Sequence, residues 1–325
     1  MNLVLTHQSA LECWRTIRQL GDEYLAEIMS RPAIYPCNGI RPAITKSEVD
    51  DFAERYALAL PLTIAIEDKT QSRSNKLAQC RTPGTRTLNN KLIEIEPGVY
   101  LPKPEVVFRQ MCSILKPVEA ILLGYELCST FAIKRFCTQK LITTRPLATL
   151  ETLGFEAERM CETGNNQRMR RVLKYVHEGA ASPPEIELSM KLGLPHCYGG
   201  FALKEHLLNP ALALSEQAQK LSEKSFCRPD LYLPSIDMDI EYDSYEWHSD
   251  SDKQAEDLRR RNALRYDGHE VRVVKFENLR DASWLTNLAR DIYRLSNKRF
   301  RPRVSSFESR QSDLFDLFEK PDEAK

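Results

Sequence analysis

The stretch Asp237-Met238-Asp239-Ile240-Glu241-Tyr242-Asp243 alternates acid and apolar residues without a break. That is the period of a β-strand, and it sends every carboxylate to one face of a sheet. A row of like charges is costly, and an antiparallel sheet can present a neutral polar face to water instead. Something positive is therefore expected opposite these acids, either basic side chains or a divalent cation. Arg228-Pro229-Asp230 and the strand-like Leu231-Tyr232-Leu233 lie just upstream; His248 and an arginine-rich segment lie just downstream. This grouping has the parts of a metal-dependent phosphodiesterase. A hard cation polarises phosphoryl oxygens, and one or two carboxylates with waters are enough to hold magnesium. The candidate ligands for Mg or Mn are Asp230, Glu241 and Asp243, whereas Asp237, beside the turn, is expected in solvent.

The segment after the acids predicts a helix from about Lys253 to Tyr266, stopped by Gly268. Leu258, Arg261 and Leu264 are three residues apart, which places Arg261 on the arc facing the sheet, with Asp257 one turn earlier as a partner. An arginine aimed at a carboxylate-lined site suits phosphate contact. Arg259, Arg260 and Arg265 are then left for DNA backbone contacts outside the site. Each feature also has a plainer reading. Asp257 and Arg261 have the spacing of an ordinary helix ion pair. Ser182-x-x-Glu185 is a capping box, and His248 after Trp247 reads equally as a strand-end histidine. Asp230 and Glu241, two acids amid apolar residues on neighbouring strands, have no comparably cheap structural explanation.

The elements around these residues can be read from periodicity. An amphipathic helix is expected over 9–29, a prolyl loop over 30–48 and a helix from about Lys46 to Leu58 behind Ser47-x-x-Asp50. Strands are expected at 62–66 and 91–95, with the basic stretch 69–90 as a long loop or hairpin arm between them. A turn at Glu96-Pro97-Gly98, a strand at 99–101 and a helix from Pro104 to about Tyr125 follow. Further on come a helix at 167–177, another opening at Ser182-Pro183-Pro184-Glu185 with proline at its first position, and a break at Tyr198-Gly199-Gly200. A strand at 270–276 and an amphipathic helix at 282–297 complete the pattern, and the tail after Arg301 reads as polar and loosely held. The division expected is an α+β domain over 1–160, a second domain over 161–300 and a tail over 301–325, α/β in class overall.

At 325 residues there is ample core for two domains. Lys and Arg total 46 and Asp and Glu total 46, so any attraction to nucleic acid must come from local asymmetry. The nine cysteines are dispersed, with no C-x-x-C pair; that predicts reduced thiols rather than a zinc site or a disulfide framework. No signal segment or membrane-spanning run is visible, so the expectation is a cytoplasmic protein with no membrane partner.

Arg228-Pro229-Asp230, then Ile240-Glu241-Tyr242-Asp243-Ser244, His248, Asp257-x-x-x-Arg261-Asn262-Ala263-Leu264 and Gly268-x-x-Val271 resemble the very-short-patch-repair-like nuclease domains of the PD-(D/E)XK restriction-endonuclease-like superfamily. The nearest likeness there is to bacterial proteins of unknown function with this domain at the C-terminus, which also share Ser182-Pro183-x-Glu185 and Tyr198-Gly199-Gly200. Glu96-Pro97-Gly98-Val99-Tyr100 and Leu123-Gly124-Tyr125-Glu126-Leu127-Cys128 are similar to the N-terminal region of that group, which loosely resembles AbiEi-type abortive-infection antitoxins. The nuclease resemblance spans roughly 165–300. It implies an α-β-β-β-α-β core with a mixed central sheet flanked by helices. Asp230 would be the central metal ligand, Glu241 the second acid, Glu185 the helix-borne glutamate and His248 the histidine after the hairpin. The superfamily lysine two residues after Glu241 is replaced by Asp243, as in the very-short-patch-repair group, which leaves open the group that activates water. The leading expectation is a metal-dependent DNA endonuclease in DNA repair or phage defence, with a homodimer or protein partner engaged through the N-terminal domain. The alternatives are a DNA-binding regulator or antitoxin-like module on a non-cleaving scaffold, and a scaffold whose acids bind a basic partner.

Overall fold

The computed structural model describes residues 2–82, 88–133, 141–159, 164–243, 251–302 and 304–319, without the side chains of 164, 165 and 251–254. The chain divides into two compact units, Met1–Val176 and His177–Ala324. Both mix helices and strands, as the α/β expectation requires.

In unit 1, β1 (Leu3–Val4) runs into α1 (His7–Gln19), then α2 (Asp22–Ser30) and α3 (Lys46–Tyr56). The single helix expected over 9–29 is split at Leu20-Gly21, where Gly21 takes a φ of +118° that side-chain-bearing residues avoid. The cap of α3 lies two residues earlier than expected: Thr45 and Glu48 form the reciprocal box. β2 (Leu62–Ala65) pairs in parallel with β3 (Ala78–Arg81), so the stretch expected as loop or arm contains a strand. β4 (Leu92–Glu96) and β5 (Val99–Pro102) are antiparallel, and β1 joins β5 in parallel.

The helix expected over 104–125 is also two, α4 (Pro104–Cys112) and α5 (Pro117–Cys128), each opening on a proline at its first turn. The hairpin of β6 (Phe131–Ile133) and β7 (Leu141–Thr143) precedes α6 (Leu150–Arg159) and α7 (Gly164–Leu173). Asn166 Nδ2 donates to Ala157 O, and Arg168 donates to Leu115 O at 2.6 Å, which ties α7 into this unit. Val4, Ala65, Leu92, Tyr100 and Val106 form one core cluster.

Unit 2 starts with α8 (Pro183–Gly193) and β8 (Leu207–Leu208). β9 (Leu212–Ala213), α9 (Glu216–Ser222) and β10 (Phe226–Cys227) form a small insert before β11 (Leu231–Leu233) and β12 (Met238–Asp243). α10 (Ser251–Tyr266) connects β12 to β13 (Glu270–Lys275), and α11 (Phe276–Arg280), α12 (Ala282–Leu295) and α13 (Phe307–Glu319) follow. The sheet order is β13-β12-β11-β8. β11 is antiparallel to both β8 and β12, while β12 and β13 are parallel, as a helical crossover demands. Met238, Asp239, Ile240 and Glu241 are all buried, so both faces of β12 are covered and the acid face is not a wet one. α10 covers that face, since Ala263 and Leu264 pack with Val271, Leu214 and Cys227.

The segment expected to be a loosely held tail carries α13. Phe307, Gln311, Leu314 and Phe315 are buried at helical spacing. Lys191 Nζ, itself buried, lies 3.7 Å from the centroid of the Phe315 ring, a cation–π contact in a desolvated place. Gly199 takes φ +85°, and a Cβ there would collide with the Arg310 carbonyl of α13. Docking of α13 thus explains the glycine at the expected break. Phe315→Ala is expected to lower unfolding stability by about 3–5 kcal/mol and Gly199→Ala by about 1–3 kcal/mol. Urea titration checks both, and near-neutral values would return the segment to a loose tail.

His206, 2% exposed, lies between Ser189 Oγ at 2.6 Å from Nε2 and Leu203 O at 2.9 Å from Nδ1. The carbonyl makes Nδ1 the donor, which in the neutral ring leaves Nε2 to accept from the Ser189 hydroxyl. Burial first, and then His177 stacked at 4.0 Å, push its pKa down to about 3. A base depressed in the folded state contributes stability that is complete above its unfolded value near 6.5 and is lost as pH falls toward 3. The urea midpoint of His206→Gln is therefore expected to fall less steeply than that of the unaltered protein between pH 6.5 and 4. Parallel pH profiles would overturn the assignment.

Candidate functional site

The acids of unit 2 are placed by strand register. Leu231 pairs with Ile240 and Tyr232 with Asp239, so one step further Asp230 stands opposite Glu241 on the same face. Asp230 Oδ2 accepts the Tyr242 N–H at 2.7 Å, which closes that step. Asp239 and Glu241 are 0% and 1% exposed. Asp237 is exposed, as expected, and accepts from Tyr232 Oη.

The expected positive partner is present, but it is mainly Arg260. Its Nη2 donates to Glu241 Oε2 at 2.7 Å and lies 3.4 Å from Asp257 Oδ1, and its Nη1 donates to Arg228 O. Arg261 Nη2 lies 3.6 Å from Asp243 Oδ2. The helix phase is turned from the one expected: Leu258 is 56% exposed, and Arg260, Ala263 and Leu264 face the sheet. Arg260 thus moves from the outer DNA-contact set into the site, and Asp257 pairs with it rather than with Arg261. Arg259 and Arg265 are exposed, as expected. His248 lies outside the described residues.

Glu185 is drawn toward the same acids. Its Oε2 accepts from the Ala181 N–H at 2.7 Å and from Asn209 Nδ2 at 2.5 Å, and its Oε1 accepts from Ser182 Oγ at 2.8 Å. Ser182 spends its hydroxyl on the glutamate and makes no side-chain capping bond, so the reciprocal capping box is not formed. Asn209 also donates its backbone N–H to Asp230 O, which joins Glu185 to the strand carrying Asp230.

Sequence reasoning missed three participants. Asn209 has no pattern to mark it. Asp239 carries the same alternation that selected Glu241. His269, two residues before Val271, brings Nδ1 to 3.0 Å from Asp239 Oδ2.

The electrostatics follow from burial. Glu185 is raised to about 7 by burial and then by the Asp230 charge. Glu241 is raised to about 8 by burial and Asp230, against the pull of Arg260 and Arg261. Asp239 is raised to about 6 by burial, with His269 opposing. Asp230 is raised by burial too, while the Tyr242 N–H and Arg260 hold it down. Like charges in a low-dielectric place cannot all ionise without a further cation.

Two features bear on a metal. Glu241 Oε1 and Asp239 Oδ1 are buried without a hydrogen bond among the described residues, Asp239 Oδ2 being turned to His269, and Asp230 stands beside Glu241, so this pair fits a hard cation that takes few protein ligands. Against this, no group of three or more His, Cys, Asp or Glu side chains has a metal-holding arrangement among the described residues, and Asp243 faces Arg261. The pair Asp230 and Glu241 is the fitting part. No model of a known protein family, no curated protein and no solved structure matches this chain.

Proposed function

We propose that unit 2 is a metal-dependent DNA endonuclease of the restriction-endonuclease-like kind, acting in DNA repair or phage defence. The observation that carries the reading is the apposition of half-buried Asp230 and fully buried Glu241 across adjacent strands, with Arg260 and Arg261 directed at the same face. The element order α8, β8, β11, β12, α10, β13 supports it, because it is the α-β-β-β-α-β order such a core requires. Asp230 and Glu241 would hold Mg or Mn, with Asp243 as a further acid. The cation would polarise the scissile phosphate and lower the pKa of an attacking water.

The chain's own residues do the rest. The Tyr242 N–H fixes the Asp230 carboxylate, and Arg260 and Arg261 set two guanidiniums where a phosphate's charge develops. Glu185, held by Ser182, Asn209 and the Ala181 N–H, is near neutrality at pH 7, which lets it give or take a proton at Oε. A second reading, a DNA-binding regulator on a non-cleaving scaffold, is favoured by one observation: the Arg260 guanidinium already satisfies Glu241 Oε2.

Asp230→Asn and Glu241→Gln keep the shapes and hydrogen bonds of these side chains and remove the charge. Both are expected to abolish magnesium-dependent nicking of plasmid DNA while the urea midpoint stays at or above that of the unaltered protein, since a buried charge is relieved. Cleavage at the original rate by both variants would place the chemistry elsewhere.

The arginines separate the two readings. Arg260→Ala and Arg261→Ala are expected to lower the cleavage rate by about a hundredfold or more with a smaller change in DNA affinity. Arg259→Ala and Arg265→Ala are expected to weaken binding across sequences and to reduce the salt slope by about one each. Effects on affinity alone in all four variants, with DNA intact in magnesium, would select the regulator.

A further inference from the structure

Unit 1 buries an imbalance of the opposite sign. Glu156 is bridged by two cations: Lys91 Nζ lies 2.5 Å from Oε2 and Arg109 Nε lies 2.9 Å from Oε1. Their side chains are 8%, 7% and 4% exposed for Lys91, Arg109 and Glu156. One carboxylate neutralises one cation, so this trio carries a buried positive charge. Glu105, one turn before Arg109 on α4, feels Lys91 and Glu156 too, and burial pushes its carboxyl up toward the neutral form.

Arg109 Nη2, Gln110 Nε2 and Arg81 Nε are buried with no hydrogen-bond partner among the described residues. Arg109 and Gln110 are 6% and 5% exposed, and leaving such donors unmet is expensive. Gln110 is held at the start of α1. The His7 N–H and Thr6 Oγ both donate to Gln110 Oε1, at 3.1 and 2.9 Å. That fixes the amide, since a flip would set its NH2 against the His7 N–H. Its unmet Nε2 is therefore held at the first turn of the helix. The His7 ring is pushed down to about 4 by burial first, and then by the Arg81 and Arg109 guanidiniums, so the charge of both arginines is felt at the start of α1. Topology agrees: Arg81 pairs with Ala65 on β2, and β2 bridges to Leu5 through Ile64.

The helix end itself is uncompensated. α1 has no acid in its first turn, and its N-cap Thr6 makes no side-chain capping bond, so the positive end of a 13-residue helix points at these donors. His7 takes φ +47°, a conformation uncommon for a residue with a Cβ and found where function over-determines the backbone.

We propose that unit 1 binds a small phosphate oxyanion at the N-terminus of α1, held by Gln110 Nε2, Arg109 Nη2, Arg81 Nε and the first-turn N–H groups other than that of His7, which Gln110 Oε1 accepts. Donors this buried suit a terminal phosphate, either free orthophosphate or the phosphate of a mononucleotide. An internal phosphate of a polynucleotide strand has flanking sugars on both sides and fits poorly. The site is independent of the chemistry proposed for unit 2.

The test is calorimetric titration of the full chain with orthophosphate and, separately, with a 5′-nucleoside monophosphate, against chloride at equal ionic strength. Saturable one-to-one binding of at least one is expected, with a rise in the His7 imidazole pKa followed by NMR. Arg81→Gln and Gln110→Glu, with folding checked by circular dichroism, are each expected to weaken binding by at least about tenfold, the loss of one charge-assisted hydrogen bond. Arg81 is half-buried, so Arg81→Gln decides the matter even where Gln110→Glu fails to fold. The proposal is overturned by the absence of saturable binding, by unaltered affinity in Arg81→Gln, or by binding of an oligonucleotide with neither small ligand. A crystal grown in phosphate with only ordered water on Gln110 Nε2 also overturns it.

Discussion

Asp230 facing Glu241 across two paired strands is the constraint on which unit 2 turns. Two carboxylates in register, Glu241 buried and Asp230 half-buried, repel each other, and ionising both is expensive. The neighbouring chain is arranged around that problem. The Tyr242 N–H holds one oxygen of Asp230, Arg260 reaches from α10 to Glu241, and Arg228 in turn offers its carbonyl to Arg260. Acids held together against their repulsion are what the proposed cation site would need.

The helix α10 shows how much rests on phase. It crosses from β12 to the parallel β13, and that crossover brings its arginines over the acid face. A rotation of one residue exchanges Arg261 for Arg260 as the guanidinium nearest Glu241. The anchoring apolar residues are Ala263 and Leu264, supported by Val271 and Cys227. Leu258 looks like an anchor in sequence and is in solvent. With so few apolar residues on the helix, a single exposed leucine is enough to mislead a periodicity argument.

Other misreadings share that origin. The alternation from Asp237 to Asp243, the pairing of flanking strands, the exposed Asp237 and the apolar face of α12 were legible, because each is a repeat enforced by geometry. The breaks at Leu20-Gly21 and before Pro117 were marked by residues whose local cost outweighed a continuing amphipathic pattern. α13 was hidden by its polar composition, although Phe307, Gln311, Leu314 and Phe315 keep helical spacing. Asn209 and His269 could not be read from spacing at all. Their roles come from tertiary contacts to Glu185 and Asp239 across long stretches of chain, and a single sequence has no local signal for such contacts.

The formal charge of the chain is zero, yet neither unit is balanced inside. Unit 2 buries Asp239, Glu241 and Glu185 and half-buries Asp230 with too few cations, and unit 1 buries Lys91 and Arg109 with one carboxylate between them. Interior charge cannot be screened by salt or diluted by water as surface charge is. It must be neutralised by protonation, by a neighbour or by a ligand. In unit 2 protonation serves: the pKa values of Glu185 and Glu241 rise to about 7 and 8, and a bound cation would return them to their ordinary range. In unit 1 the excess is positive, and of its two cations only Lys91 can shed a proton, since arginine keeps its own in proteins. With both cations charged the excess is met by a counter-anion or left as a standing cost, and the unmet donors Arg109 Nη2, Gln110 Nε2 and Arg81 Nε are of the kind an anion satisfies. Opposite imbalances therefore call for ligands of opposite charge, one in each unit, while the net charge of the whole chain reveals neither.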